Sequence, residues 1–379
     1  MNRFVRYALS AIALLAAPVL LMQGMANAKN PLSPMFSWNG YNLAELSLGA
    51  VRIEQGQGGT VSMSLRKRGV ALARNAFARE PLAADALFVL AVHESDQRNP
   101  QAMAAILDGA YALDKRNRNI GALQLQQAAL AGDFEATFRI IDRLASLYPP
   151  LSGEFVSPLI ASLADPEATA LIREALEARP VWAEAFWLSG PDDARLVRAM
   201  FDLRQQVDFG TSERSDAILL AGLVRQRLYE PAFAFWREVT GEPQGTLGYV
   251  ADDAFAPFGW QLKASGDLSM TSREAGRFEV YVQNEMSGEL GRQLLELAPG
   301  RYSFSASIAP VSEAENLSAS LQCAQDDTPV GSPQTLDNAA GWTVTGGCKY
   351  YWLILTGAAW DRRDPLRVDV ADMQFQAGN

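Results

Sequence analysis

The chain has 379 residues, enough for two domains that each bury a core of their own. Its formal charge is −10, and its basic residues are interspersed with Glu and Asp, so no basic face offsets the repulsion of a nucleic acid. A single histidine, His93, leaves little material for His-based triads or His-rich metal sites, and in LFVLAVHESD it reads as a partly exposed structural residue near a helix end.

Arg3 and Arg6 precede an apolar run from Tyr7 to Met22, and Ala26-Asn27-Ala28 follows. That order is the layout of a secretory signal peptide over residues 1–28. If uncleaved, residues 7–26 approach the length of about 20 that a membrane helix needs. Arg3 and Arg6 would then stay in the cytoplasm by the positive-inside rule. Both alternatives export residues 29–379 and predict a periplasmic location, anchored to the inner membrane if the segment is retained.

Residues 29–241 read as a helical array. Apolar residues recur at helical spacing over Ala44–Glu54, Met63–Arg79, Ala83–Asp96, Gln101–Asp114, Ile120–Ala131 and Phe134–Leu147. Pro81 and Pro149-Pro150 supply stops. In the last pair Ala122, Leu125, Ala129, Gly132, Ala136, Ile140 and Leu144 recur near one face, with small residues where two helices must approach closely. Further helices are predicted over Pro166–Ala178, Pro191–Gln206, Ser215–Arg227 and Pro231–Val239, the first two with proline in the first turn. Between them Trp182, Phe186 and Trp187 form an aromatic cluster that reads as core, and Phe233, Phe235 and Trp236 face the next element.

The stretch ALQLQQAALAGDFEATFRIIDRLASLYP resembles a tetratricopeptide repeat, with Gly132-Asp133 at the turn, Ala136 opening the second helix and Pro149 at the end. The family period is about 34 residues; neighbouring pairs here are longer and lack its early Trp and Tyr. The resemblance implies stacked helix pairs with a surface that binds a peptide segment or another protein. The surface between Ala83 and Leu147 is the expected partner site.

After Gly241 the period changes from near 3.6 to near 2. Tyr302, Phe304, Ala306 and Ile308 alternate with Ser303, Ser305 and Ser307; Leu317, Ala319, Leu321 and Cys323 alternate with Ser318, Ser320 and Gln322. Phe278, Val280 and Val282 do the same, Cys348–Thr356 is apolar on both faces and reads as a central strand, and Leu366–Gln376 closes the run. With Phe258–Lys263 and Leu294–Leu297 this makes about eight strands, for which two packed antiparallel sheets are the natural solution. The expected fold class is therefore an α-helical, tetratricopeptide-like solenoid followed over 242–379 by an antiparallel β-sandwich of jelly-roll type. The two cysteines, Cys323 and Cys348, pair readily in an oxidising compartment, the alternative being two buried free thiols.

FAPFGWQL, LLELAPGRYSFS and the two cysteines, with RPVWAEAF before the last helices, resemble membrane-associated tetratricopeptide-repeat proteins of proteobacteria, many encoded with exopolysaccharide genes. The chain departs from that pattern at ADDAF, where a Gly-containing turn is expected. The resemblance implies an architecture and a setting in envelope polysaccharide production. Its expected partners are proteins of that machinery, together with glycan or a second subunit.

Sandwiches of this kind are similar to carbohydrate-binding modules, which stack aromatic faces on sugar rings. Trp342 and Trp360 lie in predicted loops or strand ends and are the candidate glycan platforms; Trp260, Tyr281, Tyr351 and Trp352 lie in strands, where burial is the default. A glycosidase would need two facing carboxylates, and the candidates are Asp252, Asp253, Glu313, Glu315, Asp326, Asp327, Asp361 and Asp364. All sit in predicted loops, where carboxylates are usually solvated. Asp326-Asp327, or Asp361 with Asp364, would be the place for a structural Ca²⁺. No metalloprotease, nucleophile-elbow, P-loop or dinucleotide motif appears. The expectation is a non-catalytic chain without a cofactor.

Overall fold

A computed structural model describes residues 39–55, 61–241, 255–274, 276–360 and 362–378. The leader or anchor expected over 1–28 lies outside the described residues. Helices come first and antiparallel sheets follow. The chain forms two compact units, Met1–Phe155 and Val156–Asn379. The period of the sequence changes after Gly241, yet the helical residues from Val156 onward group with the sheets.

In the first unit, Asn39 caps helix α1 (Gly40–Leu48) by accepting a hydrogen bond from the Asn42 N–H at 3.2 Å. An expected helix over Ala44–Glu54 ends early. Strands β1 (Val51–Gln55) and β2 (Val61–Leu65) form an antiparallel hairpin, with Val51 opposite Leu65 and Arg52 opposite Ser64. Val51, Ile53 and Val61 alternate with polar residues, and the β-branched period of two overrides the helical reading. Helix α2 (Lys67–Arg79) consequently starts four residues later than expected. Helices α3 (Ala84–Asp96), α4 (Pro100–Leu113), α5 (Arg118–Leu130) and α6 (Phe134–Leu147) follow, near their expected bounds.

Asp133 caps α6 by accepting from the Ala136 N–H at 2.9 Å, and Gly132 takes a left-handed φ of 68° at the turn. The α5–α6 contact is rotated by about one residue from the expected face. Gly121, Leu125, Ala128, Ile141 and Leu144 are buried, whereas Ala129 is exposed and Ala136 and Ile140 are half-buried. Gly121 is where the helices approach most closely, since a Cβ there would lie 2.6 Å from a Leu144 methyl.

In the second unit, α7 (Ser152–Ser162) leads in, and α8 (Pro166–Glu177) begins on Pro166 behind the Asp165 cap. The short α9 (Ala183–Leu188) carries Trp182, Phe186 and Trp187 into the interior, and the Trp187 indole N–H donates to the Phe209 carbonyl at 2.9 Å. Helix α10 (Ala194–Arg204) starts behind Asp193 and not at Pro191. The Asp193 carboxylate accepts from the Arg195 and Leu196 N–H groups, which hold its pKa below the usual range. Helix α11 (Glu213–Arg225) opens on a Ser212/Ser215 capping box. Helix α12 (Tyr229–Thr240) ends at Gly241, whose φ of 69° closes it.

The sheets are antiparallel throughout. One has the order β3 (Gln261–Leu262), β6 (Ser287–Glu296), β11 (Tyr350–Ala358), β8 (Leu317–Cys323), β9 (Gln334–Thr335). The other has the order β10 (Ala340–Val344), β7 (Gly300–Ala309), β12 (Leu366–Ala377), β5 (Arg277–Val282), β4 (Leu268–Glu274). Their inner faces share one core in which Phe278, Val280, Phe304, Leu321, Leu353, Val368 and Phe375 meet. The expected central strand is β11, flanked by β6 and β8. Strands β4 and β10 were not anticipated from the sequence. Cys323 and Cys348 are joined in a disulfide.

Candidate functional site

A groove of about 850 Å³ opens in the first unit between the α3–α4 and α5–α6 pairs. Neighbours within each pair pack closely, while α4 and α5 meet more sparsely, and the gap follows from that. Met103 and Leu107 of α4 and Ile140 of α6 give it an apolar floor; Arg98, Arg139 and Gln127 stand on its rim. Leu130 lines the same groove and is 82% exposed. The Ala136 and Ile140 positions that the sequence assigns to the α5–α6 seam line the groove instead, because of the one-residue rotation of that contact.

Arg143 ties the walls together. Its guanidinium lies 4.3 Å from the Tyr111 ring centroid of α4, and its Nη2 donates to Gln124 Oε1 of α5 at 2.9 Å. Its Nε is buried without a hydrogen-bond partner among the described residues. One α6 side chain thereby links three helices at the groove. His93, by contrast, is half-buried in the last turn of α3 and is not among the groove residues.

In the second unit the candidate glycan residues part company. Trp342 is 5% exposed, which overturns its reading as a sugar platform. Ala340, Trp342 and Val344 of β10 point into the core while Gly341 and Thr343 face out, and the indole stacks on Phe375 at 6.3 Å. The strand is legible only as a short alternation between Asn338 and the Gly346-Gly347 pair, which reads as loop. Trp360, two residues past the end of β11, is 62% exposed.

The described candidate carboxylates gather around two arginines, Glu313, Glu315 and Asp364 near Arg362 and Asp326 and Asp327 near Arg227. Glu313 accepts both guanidinium nitrogens of Arg362 and the Asn316 amide, and Arg362 holds its pKa below the usual range. Asp326 accepts from the Thr328 N–H, which also lowers its pKa. Asp327 pairs with Arg227 at 2.9 Å, so the proposed Ca²⁺ ligands Asp326 and Asp327 already have protein partners. Glu315 and Asp364 are exposed. Asp252, Asp253 and Asp361 lie outside the described residues. No cluster of three or more His, Cys, Asp or Glu suited to a metal occurs among the described residues.

Of the aromatic residues expected to face the next element, Phe233 and Trp236 reach the sandwich through Phe258, whereas Phe235 packs on Phe201 of α10; the polar bonds of this joint were not foreseen. The Tyr229 hydroxyl donates to the Ala324 carbonyl at 2.7 Å, Phe233 stacks on Tyr350 at 5.2 Å, and Arg237 pairs with Glu296. Burial raises the Tyr229 pKa, which keeps the hydroxyl a donor. Arg227 donates to the Gln325 carbonyl at 2.6 Å, beside the disulfide. The only sequence signal was the aromatic row Tyr229, Phe233 and Trp236 at spacings of four and three.

No family model matches the chain, and no curated protein matches it. No described helix is long and apolar enough to cross a membrane.

Proposed function

We propose that the chain is a non-catalytic scaffold of the cell envelope whose first-unit groove receives a segment of a partner protein. The observation that carries this reading is the open groove itself, with an apolar floor and the largely exposed Leu130 at its edge. Leu130 adjoins Met103, Leu107 and Ile140 in the same groove, an apolar surface that a partner segment would cover. The Gly132-Asp133 turn and capped α6 support reading the helix pairs as degenerate tetratricopeptide units, and the two five-stranded sheets support a jelly-roll sandwich. The basic-apolar-small order of residues 1–28 and the Cys323–Cys348 bond support export to the periplasm. The setting, by resemblance, is exopolysaccharide synthesis or export.

Non-catalytic is the better reading because Glu313, Asp326 and Asp327 are engaged in ion pairs and a turn, and Glu315 and Asp364 stand exposed. A second reading, a periplasmic carbohydrate-binding protein, is favoured by the exposed Trp360 alone. Co-purification from detergent extracts tests the leading reading. The wild-type chain is expected to retain an envelope protein that Ile140→Glu loses. Equal recovery by both chains, with Ile140→Glu folded by circular dichroism, would remove the groove from the account.

A further inference from the structure

Among the described residues of the sandwich, the large apolar side chains left exposed are Met286, Val311 and Trp360, at 36%, 81% and 62%. They are far apart in sequence and occupy the β5–β6, β7–β8 and β11–β12 connections. Strand register brings these connections to one end: Ala358 pairs with Ser287, Gly357 with Leu317, Leu366 with Val282, and Asp369 with Ala309. Direct bonds then pin them together. The Glu285 N–H donates to the Ala359 carbonyl and the Ala359 N–H to the Met286 carbonyl, both at 2.8 Å. Arg362, two residues past Trp360, makes its two-nitrogen pair with Glu313, two residues past Val311. Helix α12 and the disulfide occupy the Tyr350 end of β11, and at the opposite end Met286, Val311 and Trp360 stay exposed among the described residues.

The Arg362–Glu313 pair is neutral overall. Of the remaining described charges on the three connections, Glu285, Glu315 and Asp364 outnumber Arg363. Glu315 and Asp364 are close enough to Arg362 to raise its pKa further. The result is an apolar centre with an acidic rim. We propose that this end of the sandwich docks a basic, apolar segment of a partner protein. Trp and Met are enriched at the centres of protein interfaces, and a charged rim sets partner choice and encounter rate. A glycan fits less well, because Met286 and Val311 offer no flat face for a sugar ring beside Trp360. An anionic lipid surface is repelled by the rim. The proposal goes beyond the groove reading and does not depend on it.

Fluorescence anisotropy on the full exported chain tests it, using a labelled 15-residue Leu/Lys peptide, its Leu/Glu counterpart and a neutral glucan hexasaccharide as probes. The Leu/Lys peptide is expected to bind, at least tenfold more weakly to Trp360→Ser, and to lose to the Leu/Glu peptide on Glu315→Lys/Asp364→Lys. The control Glu45→Lys/Glu154→Lys, on exposed first-unit carboxylates outside the groove, is expected to leave affinity unchanged. No binding, equal binding by Trp360→Ser, an equal loss in the control, or displacement by the hexasaccharide would each overturn the proposal. None of these results bears on the groove, which Ile140→Glu tests separately.

Discussion

Trp236 stacks on Phe258 with ring centroids 5.3 Å apart and planes 8° from parallel. The first ring belongs to the last helix and the second to the segment that opens the sandwich, so this pair joins the two. Phe233 sits edge-on to the same Phe258 at 4.9 Å and face-on to Tyr350. Four aromatic rings from helix, entry segment and central strand thus form one cluster, which explains why the later helices group with the sheets.

Truncating the centre of that cluster should release the helix. Phe233→Ala is expected to cost about 3–4 kcal/mol. Amides of 229–240 should exchange faster in hydrogen-exchange mass spectrometry while those of β7 and β12 keep their protection. Uniform loss in all three elements would mean that helix and sandwich unfold as one unit.

Replacing Cys323 and Cys348 together by Ser removes a cross-link over 25 residues. In the chain-entropy model that costs roughly 3–4 kcal/mol. The Ala324 carbonyl that accepts from Tyr229 and the Gln325 carbonyl that accepts from Arg227 directly follow Cys323. Extra exchange should therefore appear first at 324–328 and in α12. Urea unfolding with and without a dithiol measures the global term, and an unchanged midpoint would contradict it.

Arg204 and Asp216 form a two-nitrogen pair between α10 and α11, with both side chains about one-eighth exposed. Breaking it from one side, Asp216→Ala, strands a buried guanidinium and should cost about 3 kcal/mol. The double change Arg204→Met/Asp216→Leu should recover most of that loss. Thermal unfolding of the three chains decides whether the pair holds the helices or merely fills space.

The Arg362–Glu313 tie gives a pH dependence with a definite sign. Arg362 lowers the Glu313 pKa below its ordinary 4.5. The stabilisation is therefore fully present above 4.5 and is lost as pH falls through the lower, folded value. Exchange at 311–316 and 362–365 should rise in that acid window. Glu313→Gln should raise it at neutral pH and flatten its acid dependence, and an unaltered profile would show that the pair does not hold the loops.

Much of this architecture is written in the sequence, and the omissions have physical reasons. Asp133 and Gly132 announce a turn because one caps and the other tolerates positive φ, so α5 and α6 are legible almost residue by residue. The hairpin at Val51 was hidden because Leu, Ile and Val satisfy either period over so short a run. Strand β4 escaped because LSMTSRE is a polar edge strand with little apolar alternation. Trp342 misled because Gly341 and the nearby glycines look like a loop, although its neighbours alternate in and out. Grooves and tips are harder still. Ile140 reads as seam and lines a cleft after a rotation of one residue, and the connections bearing Met286, Val311 and Trp360 come to one end only through strand register.

A partner segment in the groove is what would make the chain a scaffold. A photocrosslinking amino acid placed at Leu130, irradiated in intact cells, measures that most directly. One discrete adduct with an envelope protein, abolished by Ile140→Glu in the same chain, is the predicted result. An adduct that persists in Ile140→Glu, or none at all while the chain is folded and exported, would contradict it.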